Sequence, residues 1–226
     1  MALILNIETS SLICSVCISK HGKALIEKED LGINHASLLS VFIQQVFHEA
    51  KLELHHLDAV SVSAGPGSYT GLRIGVVTAK GLCFALEKPL IAIDSLQALS
   101  AGLEKKYQGS NFLYCPTIDA RRDEIYYGVY GNNGEEIMSS RNIILSHSIP
   151  FEIPEEKKIV IGGSGVLKTR ALWTHRALTF DETLTLSASY MIPLAEKQFN
   201  ISKFENITAF EPRYIKPAYI LAPSTG

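Results

Sequence analysis

The 226-residue chain is 46% apolar and carries 21 Lys plus Arg against 23 Asp plus Glu, a formal net charge of −2. This composition provides a sizeable core for one or two domains and gives no global electrostatic argument for a polyanionic partner. No run approaches about 18 apolar residues without a charge, so we expect no membrane span. The apolar start lacks a basic leader and reaches Asn6 and Glu8 early, so we interpret it as a strand and expect a cytoplasmic protein.

Residues 1–106 predict an α/β half with the element order βββαβαβα. Three short strands form an antiparallel meander, and two further strands alternate with three helices. Asp94 or Ser95 is predicted to cap the last helix. The predicted strands are Leu3–Ile7, Leu12–Ser19, Lys23–Glu29, Leu57–Ser63 and Leu90–Ile93, and the predicted helices are His35–Ala50, Tyr69–Glu87 and Ser95–Lys106.

Residues 107–226 predict a second α/β half that also opens with strands and weakly repeats the first. Asn132-Asn133-Gly134 is a hairpin signal between two of these strands. A proline-bearing stretch, 146–158, separates them from a strand that runs into Gly162-Gly163-Ser164-Gly165. A helix is expected over Ser187–Phe199, and an irregular tail from Phe210 with Pro212, Pro217 and Pro223. The predicted strands are 112–118, 125–130, 136–145 and 158–161.

The sequence around Gly65-Pro66-Gly67 predicts a sharp turn between a strand and a helix that Ser68 or Thr70 caps. Such a junction directs backbone N–H groups at an anion, but the lysine of a Walker motif is absent and Thr70 replaces the third glycine of a dinucleotide motif. Tight-turn packing and phosphate contact both stay open, and the turn at Glu8-Thr9-Ser10 has the same two interpretations. The candidate phosphate contacts are Glu8, Thr9, Ser10, Gly65, Gly67, Ser68 and Gly163.

Other polar residues give no complete catalytic constellation. The seven histidines form no His-x-x-x-His pair, so no metal site is predicted, and no G-x-S-x-G motif occurs. Cys14 and Cys17 stand three apart in a predicted strand and point to opposite faces, which is typical of buried thiols. A dense charge cluster beside a strand, either a salt-bridged surface or a recognition site, comprises Asp119, Arg121, Arg122 and Glu124.

Four stretches resemble the bacterial TsaB (YeaZ) family in order and spacing. They read ILNIETSSLICSVCI, NHASLLSVFIQQV, VSVSAGPGSYTGLRIGVVTAKGLCFALEKPLIAIDSLQAL and IDARRDEIYYGVY. The resemblance covers about residues 1–130, and the GPGSYTGLRIG stretch is its most specific part. It implies an actin-like ATPase-domain (ASKHA) fold with two related βββαβαβα-type halves, the second degenerate.

The resemblance also implies a function. The family is the non-catalytic accessory subunit of the machinery that makes threonylcarbamoyladenosine next to the tRNA anticodon. It forms a heterodimer with the catalytic paralogue TsaD and cooperates with the P-loop ATPase TsaE, and tRNA is reached through the complex. The paralogue's two metal-binding histidines are replaced here by Ser95 and Leu99. No cofactor is therefore expected to be required by this chain, although ATP or ADP at the complex interface stays open.

In the family the first two helices pack against the same helices of the partner. Gly71, Gly75 and Ala79 form a stripe of small residues that permits close approach, and we expect a homodimer when the partner is absent. The alternative, that both helix faces are internal core, stays open, as does a self-sufficient ATPase or small-molecule kinase. The predicted interface residues are His35, Leu38, Leu39, Phe42, Ile43, Val46, Gly71, Leu72, Gly75, Val76, Ala79 and Cys83.

Overall fold

The computed structural model describes residues 2–32 and 34–216, so the predicted tail prolines Pro217 and Pro223 lie outside the described residues. The strands are β1 (Leu3–Glu8), β2 (Ile13–Lys20), β3 (Lys23–Leu31), β4 (Ala59–Gly65), β5 (Leu90–Asp94), β6 (Phe112–Asp119), β7 (Glu124–Tyr130), β8 (Glu136–Ile144), β9 (Lys158–Gly162) and β10 (Leu178–Asp181). The helices are α1 (His35–Ala50), α2 (Tyr69–Leu86), α3 (Ser95–Lys106), α4 (Val166–Leu172) and α5 (Ile192–Asn200). None of the helices in these ranges is long and apolar enough to cross a membrane.

The two sheets repeat one topology. The first has the order β3-β2-β1-β4-β5 and the second, read in the matching direction, β8-β7-β6-β9-β10. In each half the first three strands pair antiparallel, whereas the fourth pairs parallel with the first and with the fifth. The predicted fold of two related halves is therefore confirmed. The sequence prediction omitted α4 and β10, which complete the second half.

Side-chain alternation along β1 separates two helical layers. Leu3, Leu5 and Ile7 share a core with α1 and α2, whereas Ile4 points to the other face, toward α3 and α5. Successive residues of a strand point to opposite faces, so a strand buried on both sides is mostly apolar. The first sheet is thus enclosed between α1 and α2 on one side and α3 and α5 on the other.

The last helix of each half packs across the boundary between the halves. Helix α3 contacts β6 and β7, and α5 contacts β5 and β1. The Gln97 side chain donates a hydrogen bond to the Gly134 carbonyl at 3.1 Å, which ties α3 to the turn between β7 and β8. The two halves consequently share one central core.

The outer face of the second sheet has a different cover. No helix occupies the connection between β8 and β9; instead Ile149, Phe151 and Ile153 of this loop pack against the sheet. The Phe151 ring stands nearly perpendicular to the Trp173 indole, with centroids 5.8 Å apart. A loop with three apolar side chains therefore covers this face of the second sheet, as α1 covers the first sheet.

Two of the helices begin at side-chain caps. The Asp94 carboxylate accepts hydrogen bonds from the backbone N–H groups of Leu96 and Gln97 at 2.9 and 3.0 Å, and the Ser68 hydroxyl accepts one from Gly71 at 3.3 Å. Such bonds satisfy N–H groups that have no partner inside the helix. Asp94, rather than Ser95, and Ser68, rather than Thr70, are the caps.

Candidate functional site

The Gly65 turn is filled by atoms of the chain itself. Gly65 has φ +108°, precedes a cis peptide bond to Pro66, and has no room for a Cβ, which would lie 2.6 Å from the Arg213 carbonyl oxygen. A Cβ at Gly67 would overlap the carbonyl oxygen of Ser10, which accepts the Ser68 N–H at 2.6 Å. The glycines are thus required for close packing of the tail and of the loop after β1, and the packing interpretation is favoured.

The loop after β1 is buried rather than open. Thr9 and Ser10 are 0% and 1% exposed, and the Thr9 hydroxyl donates to the Gly71 carbonyl at 2.8 Å. The Glu8 carboxylate accepts the N–H and the hydroxyl of Ser10, both at 2.5 Å, while its second oxygen accepts no hydrogen bond from the residues that the structure describes. Burial raises the pKa of Glu8 to about 7. The structure therefore brings six of the predicted phosphate contacts together, but they contact one another. They are Glu8, Thr9, Ser10, Gly65, Gly67 and Ser68.

Gly163 lies at the equivalent position of the second half, after β9, and has φ +100°. A Cβ there would overlap the Leu99 side chain and the Thr117 carbonyl oxygen. Gly163 therefore allows β9 to pack closely against α3 and β6.

The charge cluster occupies the equivalent of the loop after β1. Asp119 accepts a hydrogen bond from Lys168 at 2.5 Å, and Glu124 accepts one from Lys216 at 2.7 Å, which holds the tail against the second half. Arg121 and Arg122 both adopt left-handed backbone conformations, with φ values of 67° and 49°. The two carboxylates form salt bridges, and a recognition role for the exposed Arg121 stays a prediction.

A small cleft lies between the halves, beside the Gly65 turn. It has a volume of about 230 Å³ and is lined by Pro66, Asp94, Ser140 and Arg213 among others. Ser140 donates to the Asp94 carboxylate at about 2.9 Å, and burial raises the pKa of Asp94. Ligand pockets usually enclose about 300–1,000 Å³, so this cleft is small for a nucleotide.

The stripe of small residues on α2 faces inward. A Cβ at Gly71 would overlap the Thr9 carbonyl oxygen, and one at Gly75 would overlap the Thr9 hydroxyl. Their close approach is therefore to the loop after β1 of the same chain. The stripe is buried in the chain's own core, which favours the alternative that this helix face is internal. The buried members of the predicted interface are His35, Leu39, Ile43, Val46, Gly71, Leu72, Gly75, Val76, Ala79 and Cys83.

The opposite face of α2 is exposed and apolar. Val77 and Phe84 expose 70% and 80% of their surface, and Gly81 between them has open space where a Cβ would stand. Together with Thr70 and the half-buried Ile74, they recur at alternating steps of four and three residues. That spacing keeps side chains on one helix face and is typical of contact with another helix. We call this set the α2 stripe.

Helix α1 also carries exposed apolar side chains. Val41 is 41% exposed, and the predicted interface residues Leu38 and Phe42 are half-buried at the margin of the core. Large exposed apolar patches mark interaction sites more often than isolated exposed residues do. We call Leu38, Val41, Phe42 and the α2 stripe the docking face. Sequence reasoning missed Val77 and Phe84 because both faces of α2 carry apolar residues, and it missed Val41 because that residue stands alone among polar residues on the outer face of α1.

The positions where the resemblance places metal-binding histidines are internal. Ser95 is 0% exposed, and its hydroxyl has no hydrogen-bond partner in the described part of the chain; Leu99 is 1% exposed. Within residues 2–32 and 34–216, no three His, Cys, Asp or Glu side chains are placed to hold a metal ion.

The cysteines are buried thiols, as predicted. Cys14 lies in the core beneath α1 and α2, whereas Cys17 packs on the opposite face against Ala188 and Ile192. Burial raises the pKa of Cys14 to about 11 and that of Cys17 to about 12.

Comparison with known proteins identifies the family. The family model for TsaD, tRNA N6-adenosine threonylcarbamoyltransferase, matches residues 29–163. The tRNA threonylcarbamoyladenosine biosynthesis protein TsaB of Bacillus subtilis is 32% identical over 164 residues, which cover 71% of this chain and 70% of that protein. The structure of YeaZ from Pseudomonas aeruginosa has a TM-score of 0.82 and 27% identity, and the alignment covers 95% of this chain and all of that one.

A more distant likeness concerns the fold alone. The polyphosphate/ATP-glucomannokinase of Arthrobacter sp. strain KM has a TM-score of 0.51 and 12% identity, over 88% of this chain and all of that one. The architecture is thus the actin-like ATPase-domain fold. With a TsaB relative at 32% identity over more than two thirds of the chain and the YeaZ structure over nearly all of it, the chain belongs to the TsaB (YeaZ) family.

Proposed function

We propose that this chain is a non-catalytic scaffold that docks a metal-bearing TsaD-type paralogue through the docking face. Membership of the TsaB family gives the chain a role in the biosynthesis of threonylcarbamoyladenosine in tRNA. The observation that carries the docking proposal is the α2 stripe, in which Val77 and Phe84 are 70% and 80% exposed.

The shape of the α2 stripe favours a helix as the docked element. Gly81 lets another backbone come close, and Val77 and Phe84 on either side supply the apolar contact. Burial of apolar surface stabilises such a contact by about 25 cal/mol per Å². A second copy of the chain presents the same stripe, so we expect a homodimer when the paralogue is absent.

The non-catalytic part of the proposal is supported by the buried Ser95 and Leu99. A hydroxyl and an alkyl side chain do not supply the imidazole ligands of the paralogue, and both lie inside the central core. The loop after β1 and the Gly65 turn are occupied by each other and by Arg213. This filling counts against the alternative of a self-sufficient ATPase or kinase.

Cooperation with a TsaE-type P-loop ATPase belongs to the same proposal. Because the loops that would hold phosphate in this chain are filled, we expect ATP or ADP to bind at an interface of the complex. This chain would then influence nucleotide turnover by holding its partner in place.

Co-purification with the TsaD-type protein of the same organism tests the docking. We expect Val77→Arg and Phe84→Arg to abolish the complex, because each places a charge in the proposed contact. Leu167→Arg is the matched control, since Leu167 is 65% exposed on α4 of the other half. Full complex formation by both α2 variants would contradict the proposal.

Threonylcarbamoyl transfer to tRNA by the reconstituted complex tests the non-catalytic role. We expect Ser95→Ala in this chain to leave the rate unchanged, whereas replacing either metal-binding histidine of the paralogue abolishes it. Transfer by this chain alone would contradict the proposal.

A further inference from the structure

A cavity of about 770 Å³ opens at the end of the first sheet opposite the Gly65 turn. Hairpin turns from both halves border it, at Gly22 between β2 and β3 and at Asn133 and Gly134 between β7 and β8. Helices α3 and α5 form its sides. In strand order these turns and helices are equivalent elements of the two halves, so the groove is built where the repeated halves meet.

Hydrogen bonds join one wall of this groove to a hairpin of the other half. The Asn133 N–H donates to the Glu104 carboxylate of α3 at 2.8 Å, and the Gln97 amide donates to the Gly134 carbonyl. On the other side, Gly22 lies next to the Glu196 side chain of α5. Helix α3 is thus fixed by two hydrogen bonds to the hairpin of the second half, whereas α5 lies beside the hairpin of the first half.

Its charge is positive on a chain whose net charge is −2. Lys23, Lys105 and Lys197 line the groove, and none of the three takes part in a salt bridge within the described residues. Among the described residues that line the groove, Glu104 is the one carboxylate, and it accepts the Asn133 N–H. Adjacent Lys106 differs from these three, because it pairs with Asp181 at 2.6 Å.

Apolar groups line the space between these lysines. The half-buried Tyr190 ring packs against Gly102, where a Cβ would lie 2.7 Å from the ring. Pro193 and Leu194 continue the apolar lining. Near Tyr190, the Glu27 carboxylate is engaged by Ser187 and Ser189 at 2.6 and 3.1 Å. Burial, and after it the charges of Glu27 and Glu29, raise the pKa of Tyr190, so carboxylates also lie near the ring. An aromatic ring in a groove whose lysines form no salt bridge within the described residues suits bases and phosphates of unpaired RNA.

We propose that this lysine groove, defined by Lys23, Lys105, Lys197 and Tyr190, binds an unpaired segment of RNA, its lysines on the phosphates and Tyr190 against a base. The identification of that RNA as tRNA rests on the proposed function. The docking face lies across the first sheet from α3 and α5, so a docked paralogue leaves the groove free.

The test is fluorescence anisotropy with labelled tRNA and a labelled single-stranded RNA at several salt concentrations. The isolated chain and its complex with the paralogue are measured in parallel. The triple variant Lys23→Glu, Lys105→Glu, Lys197→Glu removes three phosphate contacts. At about 0.7 per contact, the slope of log K against log salt should fall by about two, which is up to about a hundred-fold in affinity at about 0.1 M salt.

The matched control makes the same charge change elsewhere. Lys51→Glu, Lys158→Glu, Lys203→Glu alters exposed lysines outside the groove and should keep the wild-type slope. Tyr190→Leu keeps apolar bulk but removes the ring, so it should weaken single-stranded RNA more than duplex RNA. Size-exclusion chromatography of the triple groove variant with the paralogue should show an unchanged complex.

The proposal is overturned if the wild-type chain binds neither RNA, or if the groove and control triples behave alike. If the triple groove variant no longer binds the paralogue but keeps its affinity for RNA, the groove accepts an acidic protein segment and the RNA proposal is wrong. If the complex forms while RNA affinity is unchanged, the groove inference fails and the docking proposal stands.

Discussion

The two halves of the molecule have the same strand order but different covers on their outer faces. The first sheet is covered by helices of 16 and 18 residues, whereas the second is covered by a helix of seven residues and a loop. Ile149, Phe151 and Ile153 of that loop close the second core. A short helix and a loop with apolar side chains are therefore enough to cover a sheet of this kind. The exposed Val77 and Phe84 on α2 are not needed to cover the first sheet.

Neighbouring valines on α2 give the largest expected contrast between folding and docking. Val76 is 3% exposed and Val77 is 70% exposed. We expect Val76→Asp to cost more than about 4 kcal/mol, because it buries a charge without a partner, and Val77→Asp to stay within about 0.5 kcal/mol. Urea unfolding measures both values. Equal losses would mean that the outer face of α2 also belongs to the core.

The first strand of each half ends in a carboxylate, Glu8 in β1 and Asp119 in β6, but only Glu8 is buried. Glu8 is buried, and its pKa is raised from 4.5 to about 7, whereas Asp119 pairs with Lys168. The folded state therefore binds the Glu8 proton more tightly than the unfolded state does. The resulting contribution to the free energy of unfolding is complete below about pH 4.5 and is lost as the pH rises through about 7. At about 1.4 kcal/mol per pKa unit, the loss is about 3 kcal/mol.

Glu8→Gln should remove that pH dependence. The amide oxygen still accepts the Ser10 hydrogen bonds, and the amide does not ionise. Unfolding free energies at pH 5 and pH 8 measure the difference between the variant and the wild type. Parallel pH profiles for the two proteins would show that Glu8 is not responsible.

An aromatic side chain in the loop that covers the second sheet should contribute more to the free energy of unfolding than the exposed Phe84 of the first half. We expect Phe151→Ala to cost about 2 kcal/mol, because its half-buried ring packs on Trp173, and Phe84→Ala to be near neutral for stability. Thermal and urea unfolding compare the two variants. A larger loss for Phe84→Ala would reverse the assignment of structural and docking surfaces.

The smallest expected effect concerns the start of α2. The Ser68 hydroxyl caps α2, whereas α4, the equivalent helix, follows Gly165, which has no side chain to cap it. We expect Ser68→Ala to cost about 1 kcal/mol and Ser68→Asp to retain the cap. Urea midpoints that did not differ between these variants would show that packing alone fixes the helix start.

Much of the fold could be predicted from the sequence because local signals agreed with one another. Helix α3 begins after Asp94, a good cap, and α1 has a broad apolar face that ends at Ala50. The missed elements are short: α4 has seven residues and β10 has four. Such lengths are too short for a periodic pattern to separate a helix or strand from a loop.

The candidate site was less predictable because α2 is apolar on both sides. Val76 and Val77, like Cys83 and Phe84, are adjacent apolar residues that the structure places inside and outside, respectively. Periodicity identifies the inner face only where the other face is polar. The glycines at 71 and 75 suggested an outer contact, but the surface they approach is Thr9, which no local pattern reveals.

The docking claim is tested most directly by thiol labelling of a Val77→Cys variant with and without the TsaD-type partner. The native thiols Cys14, Cys17, Cys83 and Cys115 are buried, and burial raises the pKa of each, so they should react slowly. We predict that the partner slows labelling of the introduced thiol by about tenfold or more and leaves a Leu167→Cys control unchanged. Equal labelling of the Val77→Cys variant in a complex that has formed would contradict docking through α2.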